Sequence, residues 1–302
     1  MHDHGHDHSD HFDTHNRSFA IAVILNTLFV VIEAVYGVLS GSLALIADAG
    51  HNLSDVMGLI MAWVASWLAS KAATYSKTYG LKKTTILAAL FNALILIAAV
   101  GGITWEAIQR LTDPADVAGL TVVVVAGIGV LINGATMMLF LKGQKGDINI
   151  RGAFLHMAAD TAVSVGVVIS GTILMFTSLT WIDPVVSLII AAVIFLGTWQ
   201  LLKDSVNLAV DAVPKGIDPS AVHERLESLP GVQSAHHLHI WALSTTENAL
   251  TVHLVKPDPE SDDQVINEAS AMLADEFNIQ HTTIQWERGG DPCPNKAHCV
   301  VH

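Results

Sequence analysis

From Arg17 to Asp211 the chain is apolar, and short polar loops break it into six segments: Ser18–Leu39, Leu43–Ala69, Thr84–Leu111, Ala118–Leu141, Ile148–Phe176 and Trp181–Val210. Each exceeds the ~20 residues that a helix rising ~1.5 Å per residue needs to cross ~30 Å of hydrocarbon. One such segment could be a buried soluble helix, but six in succession predict an α-helical polytopic membrane protein. Pro114 and Pro184 stand at span edges and no proline lies mid-span, so uninterrupted helices are expected.

The pattern changes after Asp211. Asp218 and Pro219 have the character of an N-cap and a first helical residue, and that helix should end near Pro230-Gly231. Val232–Thr245 and Ala249–Lys256 read as strands, Ser261-Asp262-Asp263 as the cap of a second helix running to Phe277, and His281–Glu287 as a third strand. The order αββαβ predicts a small two-layer α+β domain of the ferredoxin type. Four parts are expected: a His/Asp-rich tail over 1–16, six membrane helices over 17–211, the α+β domain over 212–288, and a Cys/His tail over 289–302.

Composition narrows the classes. Of 302 residues 51% are hydrophobic and 14% charged, with formal charge −13, against about 25% charged in soluble domains. A nucleic-acid binder needs a basic face, a disordered chain cannot be this apolar, and two cysteines are too few for a disulfide scaffold. With the N-terminus placed in the cytoplasm, ten lysines and arginines flank the inner side and only Arg110 the outer side. That asymmetry predicts two cytoplasmic termini. Acidic composition and short loops favour a bacterial inner membrane.

Histidine gives the sharpest chemical signal. Six histidines lie in Met1–Asn16, interleaved with four aspartates, and eight follow Asp211. The spans hold only His51 and His156, and each has an aspartate four residues on, Asp55 and Asp160. Spacing of i and i+4 places both side chains on one helix face, and ionisable groups inside a bilayer are functional candidates by default. Two His–Asp pairs form a four-ligand nitrogen and oxygen set that suits Zn²⁺ better than Mg²⁺ or Ca²⁺. Asp48, two turns before Asp55, could guide the ion or cap the helix. Glu33, Asn26, Glu106 and Asn133 read as interhelical hydrogen-bonding groups. Gly37, Gly50, Gly58, Gly134 and Gly166 could allow close helix packing.

Two buried aspartates need a cation. Zn²⁺ neutralises both, and so does protonation of both imidazoles. Metal and protons should therefore compete for the site, and rocking helices would convert that competition into exchange.

The α+β domain offers further ligands. On the first strand, alternation should send His237 and His239 to one face and His236 to the other. His253 falls on the second strand, while His281 and Glu287 bracket the third. Cys293, His298 and Cys299 add tail ligands in a reducing compartment.

Several runs resemble the cation diffusion facilitator family, in particular its zinc-exporting branch of the bacterial zinc/cadmium/cobalt resistance type. They are Ser40-Gly41-Ser42-Leu43-Ala44-Leu45-Ile46-Ala47-Asp48-Ala49-Gly50-His51, Asp55, Leu87-Ala88-Ala89-Leu90-Phe91-Asn92-Ala93, His156/Asp160, Leu238-His239-Ile240-Trp241 and Thr283-Ile284-Gln285. The resemblance spans about Phe19 to Glu287. It implies a homodimeric metal/proton antiporter with six helices and a cytoplasmic metallochaperone-like domain, with transport ligands at His51, Asp55, His156 and Asp160. Histidine at position 51 fits the zinc-preferring members. Lys83 and Asp211 match a pair at the family's dimer interface, and His236 and His253 match zinc ligands of its domain. Three departures stand out: the loop Thr74–Lys83 has no histidine, Gln285 replaces a ligating histidine of some members, and Lys142–Arg151 lacks a His-rich stretch.

The expected function is export of Zn²⁺, with Cd²⁺ or Co²⁺ as further substrates, against protons as counter-ion. The expected partners are lipid and a second copy of the chain. The rivals are a metal-sensing receptor without flux and an intramembrane zinc hydrolase. A hydrolase keeps a metal position open for water, and no HExxH stretch occurs here.

Overall fold

The computed structural model describes residues 27–113, 115–140, 148–177 and 179–289, and for a few of these, His156 among them, the backbone alone. The apolar segments form α1 (Thr27–Ser40), α2 (Leu43–Ala69), α3 (Thr84–Thr112), α4 (Gly119–Phe140), α5 (Ile148–Phe176) and α6 (Ile182–Ala209). Five of these are long and apolar enough to cross a membrane, and the described part of α1 is shorter. The polar region forms α7 (Pro219–Glu227), β1 (Ser234–Ala242), β2 (Asn248–Val255), α8 (Asp262–Phe277) and β3 (His281–Glu287), the αββαβ order that the sequence pattern predicts. The described chain divides into two compact parts, residues 27–60 with 92–200, and residues 61–91 with 201–289.

In the first part the centre is built from small and β-branched residues. Ala44, Leu45 and Ala47 of α2 pack with Val100 of α3, Val122 and Val125 of α4, Val167 of α5 and Ile190 of α6. Inside a bilayer, where apolar burial drives little association, small side chains let backbones approach and dispersion accumulate. The α4–α5 crossing takes this furthest: a Cβ on Gly119 would lie 2.8 Å from Gly171 O, and one on Gly171 would lie 2.9 Å from Val122. Gly37 meets α2 as closely, at 2.9 Å from Ile46 Cγ1, whereas Gly134 and Gly166 face open space among the described residues. Leu131 and Leu196, each 72% exposed, look outward with many other apolar side chains, the surface that acyl chains would cover.

The start of α2 is capped from another helix. Asp183, fully buried at the first turn of α6, accepts from Ser42 Oγ (2.5 Å) and Leu43 N (2.7 Å), so a carboxylate sits where unpaired N–H groups and the helix dipole favour negative charge. Arg110 donates to Gly41 O and, at 3.0 Å, to Glu106, so Glu106 takes an ion-pair role beside its helix.

In the second part β1 pairs antiparallel with β2 and β2 parallel with β3. Leu226 of α7, Leu250 and Leu254 of β2 and Leu273 of α8 are fully buried in one core. Asp218 caps α7 through Ser220 N at 2.9 Å. Ser261 does not cap α8 through its side chain. It takes a left-handed φ of 66°, and Asp262 is held instead by Lys256 and Arg288. Asp211 ends α6 in the left-handed region, at φ 60°. In the same part Lys83 contacts Asp211 at 2.5 Å, and Thr85 Oγ1 accepts from Thr245 N at 3.1 Å.

Leu254 lies at 0% exposure among side chains of both layers. Leu254→Ala is expected to destabilise this domain by about 3 kcal/mol, read as a lower thermal midpoint and faster amide exchange across the sheet. An unchanged midpoint would contradict the packing described.

Candidate metal centres

The first centre joins α2 and α5. One helical turn along α2 separates His51 from Asp55, and Asp160 of α5 comes up beside them. His51 Nε2 lies 3.0 Å from Asp160 Oδ1, and one ligand atom from each of the three residues falls within 4.8 Å of the others. Asp160 is buried at 1% exposure, while His51 and Asp55 are half-buried. His156 sits one turn before Asp160 on α5, and its side chain lies outside the described residues. One imidazole and two carboxylates converging from two helices form a hard-to-borderline donor set suited to a divalent transition ion. Without a cation they gather two negative charges where desolvation is costly.

A buried polar shell stands beside these ligands. Asp48 accepts from Ser164 Oγ of α5 at 2.8 Å, and Glu33 of α1 accepts from Asn52 Nδ2 of α2 at 3.1 Å. All four residues are at most 3% exposed. Asn52 and Ser164 were not singled out by sequence reasoning, and both lie within four residues of a ligand, on His51's and Asp160's own helices. That proximity was the available signal. Asp183 was missed too, because its partner is a helix terminus and not a motif.

The second centre spans three strands. His236 of β1 is opposite His253 of β2, which is opposite Gln285 of β3. Glu287, two residues on along β3, reaches back to His253 Nδ1 at 2.8 Å and to His236 Nε2 at 3.4 Å. The three residues form a ligand-capable cluster. Simple alternation along β1 does not hold. The β1–β2 register shifts between His236 and His239, and His237 adopts φ 54°, so an extra residue re-aims the side chains. The His237 ring stacks on His253 (centroids 4.9 Å apart) and meets His239 edge-on at 4.7 Å. His239 thus borders the cluster through His237.

His281 stands at the opposite end of β3 from Glu287. Its Nε2 is 3.2 Å from both Glu247 Oε2 and Lys82 Nζ. The Lys82 hydrogen bond, aided by His281, holds the Glu247 carboxyl below the usual range against the opposing effect of burial. A lysine so placed opposes a cation there. Cys293, His298, Cys299 and the Met1–Asn16 tract lie outside the described residues.

Residues 19–208 match the cation efflux transmembrane domain, and residues 214–289 match the cytoplasmic domain of cation efflux proteins. The metal cation efflux system protein CzcD of Cupriavidus metallidurans is 39% identical over 99% of this chain and 93% of its own length. The zinc transporter ZitB of Pectobacterium atrosepticum is 34% identical over 98% of this chain and 92% of its own. A Bacillus subtilis protein named cadmium, cobalt and zinc/H(+)-K(+) antiporter is 35% identical over 98% of this chain and 96% of its own. Two matched domains covering most of the sequence, and relatives aligned nearly end to end, make this chain a member of the cation efflux (cation diffusion facilitator) family: an integral membrane protein that transports metal cations, and not an enzyme.

Proposed function

We propose that the chain exports Zn²⁺ from the cytoplasm in exchange for protons, as a homodimer in a bacterial inner membrane with both termini cytoplasmic. The observation that carries this is the convergence of His51, Asp55 and Asp160 from two membrane helices to within 4.8 Å. In this reading His156, a turn before Asp160 in sequence, is the fourth ligand, giving the two-nitrogen, two-oxygen donor set that Zn²⁺ favours. Such a site is neutral with one Zn²⁺, and neutral again with two protons on its imidazoles, so either cargo can displace the other. The relatives' names support the substrate class: one is called a zinc transporter and another an antiporter for cadmium, cobalt and zinc. Cd²⁺ and Co²⁺ follow as further cargo.

The domain over 212–288 holds regulatory metal at His236, His253 and Glu287. His239 borders that site, and Cys293, His298 and Cys299 are candidate ligands of the tail. His281 belongs to the joint with Lys82 and Glu247. Filling the site draws two copies together and biases the membrane helices. Lys83 and Asp211, paired where α3 begins and α6 ends, anchor the helices next to the dimer contact.

Two outcomes test this reading. In proteoliposomes with a zinc dye inside, Asp55→Ala, His156→Ala and Asp160→Asn should each lower zinc flux at least about tenfold with expression and fold retained. Full flux in all three would refute the site, and zinc flux without proton counterflow would refute the exchange. Separately, the double variant His236→Ala/His253→Ala should lose the rise of transport rate with cytoplasmic zinc while keeping the basal flux. An unaltered zinc dependence would contradict the regulatory role.

A further inference from the structure

Glu33 and Asp48 are both at 0% exposure inside the membrane part. Their carboxyls stand within hydrogen-bonding reach of each other. Each has one oxygen with a donor, Asn52 Nδ2 on Glu33 Oε2 and Ser164 Oγ on Asp48 Oδ2. Each also has one buried oxygen, Glu33 Oε1 and Asp48 Oδ1, without a hydrogen-bond partner. A buried acceptor left unsatisfied is expensive, and two such acceptors on neighbouring carboxyls are more so. Two carboxylates side by side in a low dielectric cannot both stay ionised. One proton removes both difficulties, because it neutralises one group and hydrogen-bonds the other.

Among the described residues, no lysine or arginine pairs with either carboxyl. Among the described side chains the ionisable neighbours are Asp48 itself and His51 on α2, and Asp160 on α5. The α4 helix closes the site through Gly129, where an added Cβ would meet Phe29 of α1 and approach Ser164, and its sequence holds no titratable group. Glu106 and Arg110 of α3, and Asp183 of α6, are engaged around the start of α2.

We propose that Glu33 and Asp48 form a proton-holding site separate from the metal ligands, in which one proton bridges Glu33 Oε1 and Asp48 Oδ1 and leaves when a divalent ion enters beside it. The step balances simply: the Glu33 O–H bond breaks, its electron pair stays on the carboxylate, and the proton departs to water. The arriving ion adds two positive charges to a region that Asp48 already shares with His51 and Asp160, and one positive charge leaves with the proton, so the field of the ion favours the ionised form of the pair. Coupling therefore does not rest on the imidazoles alone, and a carboxyl on α1, which contributes no ligand, reports on the ion's arrival.

The inference rests on reading His51, Asp55 and Asp160 as metal-holding, and its test separates the two claims. Zinc binding to the full chain in nanodiscs is measured by calorimetry in buffers of different ionisation enthalpy. Glu33→Gln keeps the acceptor for Asn52 and cannot release a proton. It should still bind zinc but release about one proton fewer per ion than the unsubstituted chain. Zinc bound with the same proton count would overturn the carboxyl pair alone. No zinc bound by the unsubstituted chain would overturn both claims. Infrared difference spectra of the unsubstituted chain, labelled with ¹³C-glutamate, provide a readout that does not depend on a variant folding. A protonated-carboxyl band that shifts with the label should vanish on zinc addition, whereas the aspartate ligands stay silent to the label. A spectrum without such a band would overturn the proposal.

Discussion

The structure depends on the confinement of negative charge in a medium that resists it. Asp55 and Asp160 project into one small volume from two helices, and Asp48 and Glu33 lie buried next to them. Removing such charges from water carries a penalty of several kcal/mol per ion, and no helix packing geometry offsets that by itself. The arrangement persists because something positive completes it: a metal ion, a proton, or the two alternately. The exchange proposed above follows from that requirement, since a site that must be filled by one of two cations could hand each across if its helices move.

The packing around the site is consistent with movement. The helix centre is built mostly of alanine and valine, with Leu45, Ile190 and Ile194 among them, and α2 is tied down at its N-terminus by Asp183. A helix anchored at one end and packed mostly through small side chains can tilt without losing its cap. The part holding residues 61–91 and 201–289 has a different character. Its core interleaves leucines between a sheet and two helices, and the loop before α3 is joined to the domain through Lys82 and Glu247. The regulatory role proposed for the His236, His253 and Glu287 cluster rests on this joining of the domain to the loop between α2 and α3.

Much of this was legible in the sequence, for identifiable reasons. Apolar runs longer than a bilayer is thick leave little choice of fold, and the ends of α2 and α5 follow from where the runs stop. The grouping of His51, Asp55 and Asp160 was open to sequence reasoning because the helical period turns a spacing of four into a shared face, while the side chain of His156 lies outside the described residues. What escaped was tertiary. Asp183 caps a helix more than a hundred residues away, and no local pattern marks a cap supplied by another helix. Asn52 and Ser164 are ordinary polar residues until α1, α2 and α5 are brought together. Along β1 the alternation rule failed at His237, because the residue's left-handed φ of 54° breaks the two-residue period on which such reasoning depends. The expected side-chain cap at Ser261 failed through the same kind of backbone departure.

The central claim is that one divalent ion is held by imidazole nitrogen and carboxylate oxygen contributed by α2 and α5. X-ray absorption at the zinc edge tests it most directly, on chain carrying His236→Ala, His253→Ala, Cys293→Ser and Cys299→Ser and loaded below one zinc per chain. The account predicts a four-coordinate shell of nitrogen and oxygen at about 2.0 Å with the outer-shell scattering of two imidazoles. A six-coordinate shell of oxygen alone would contradict it.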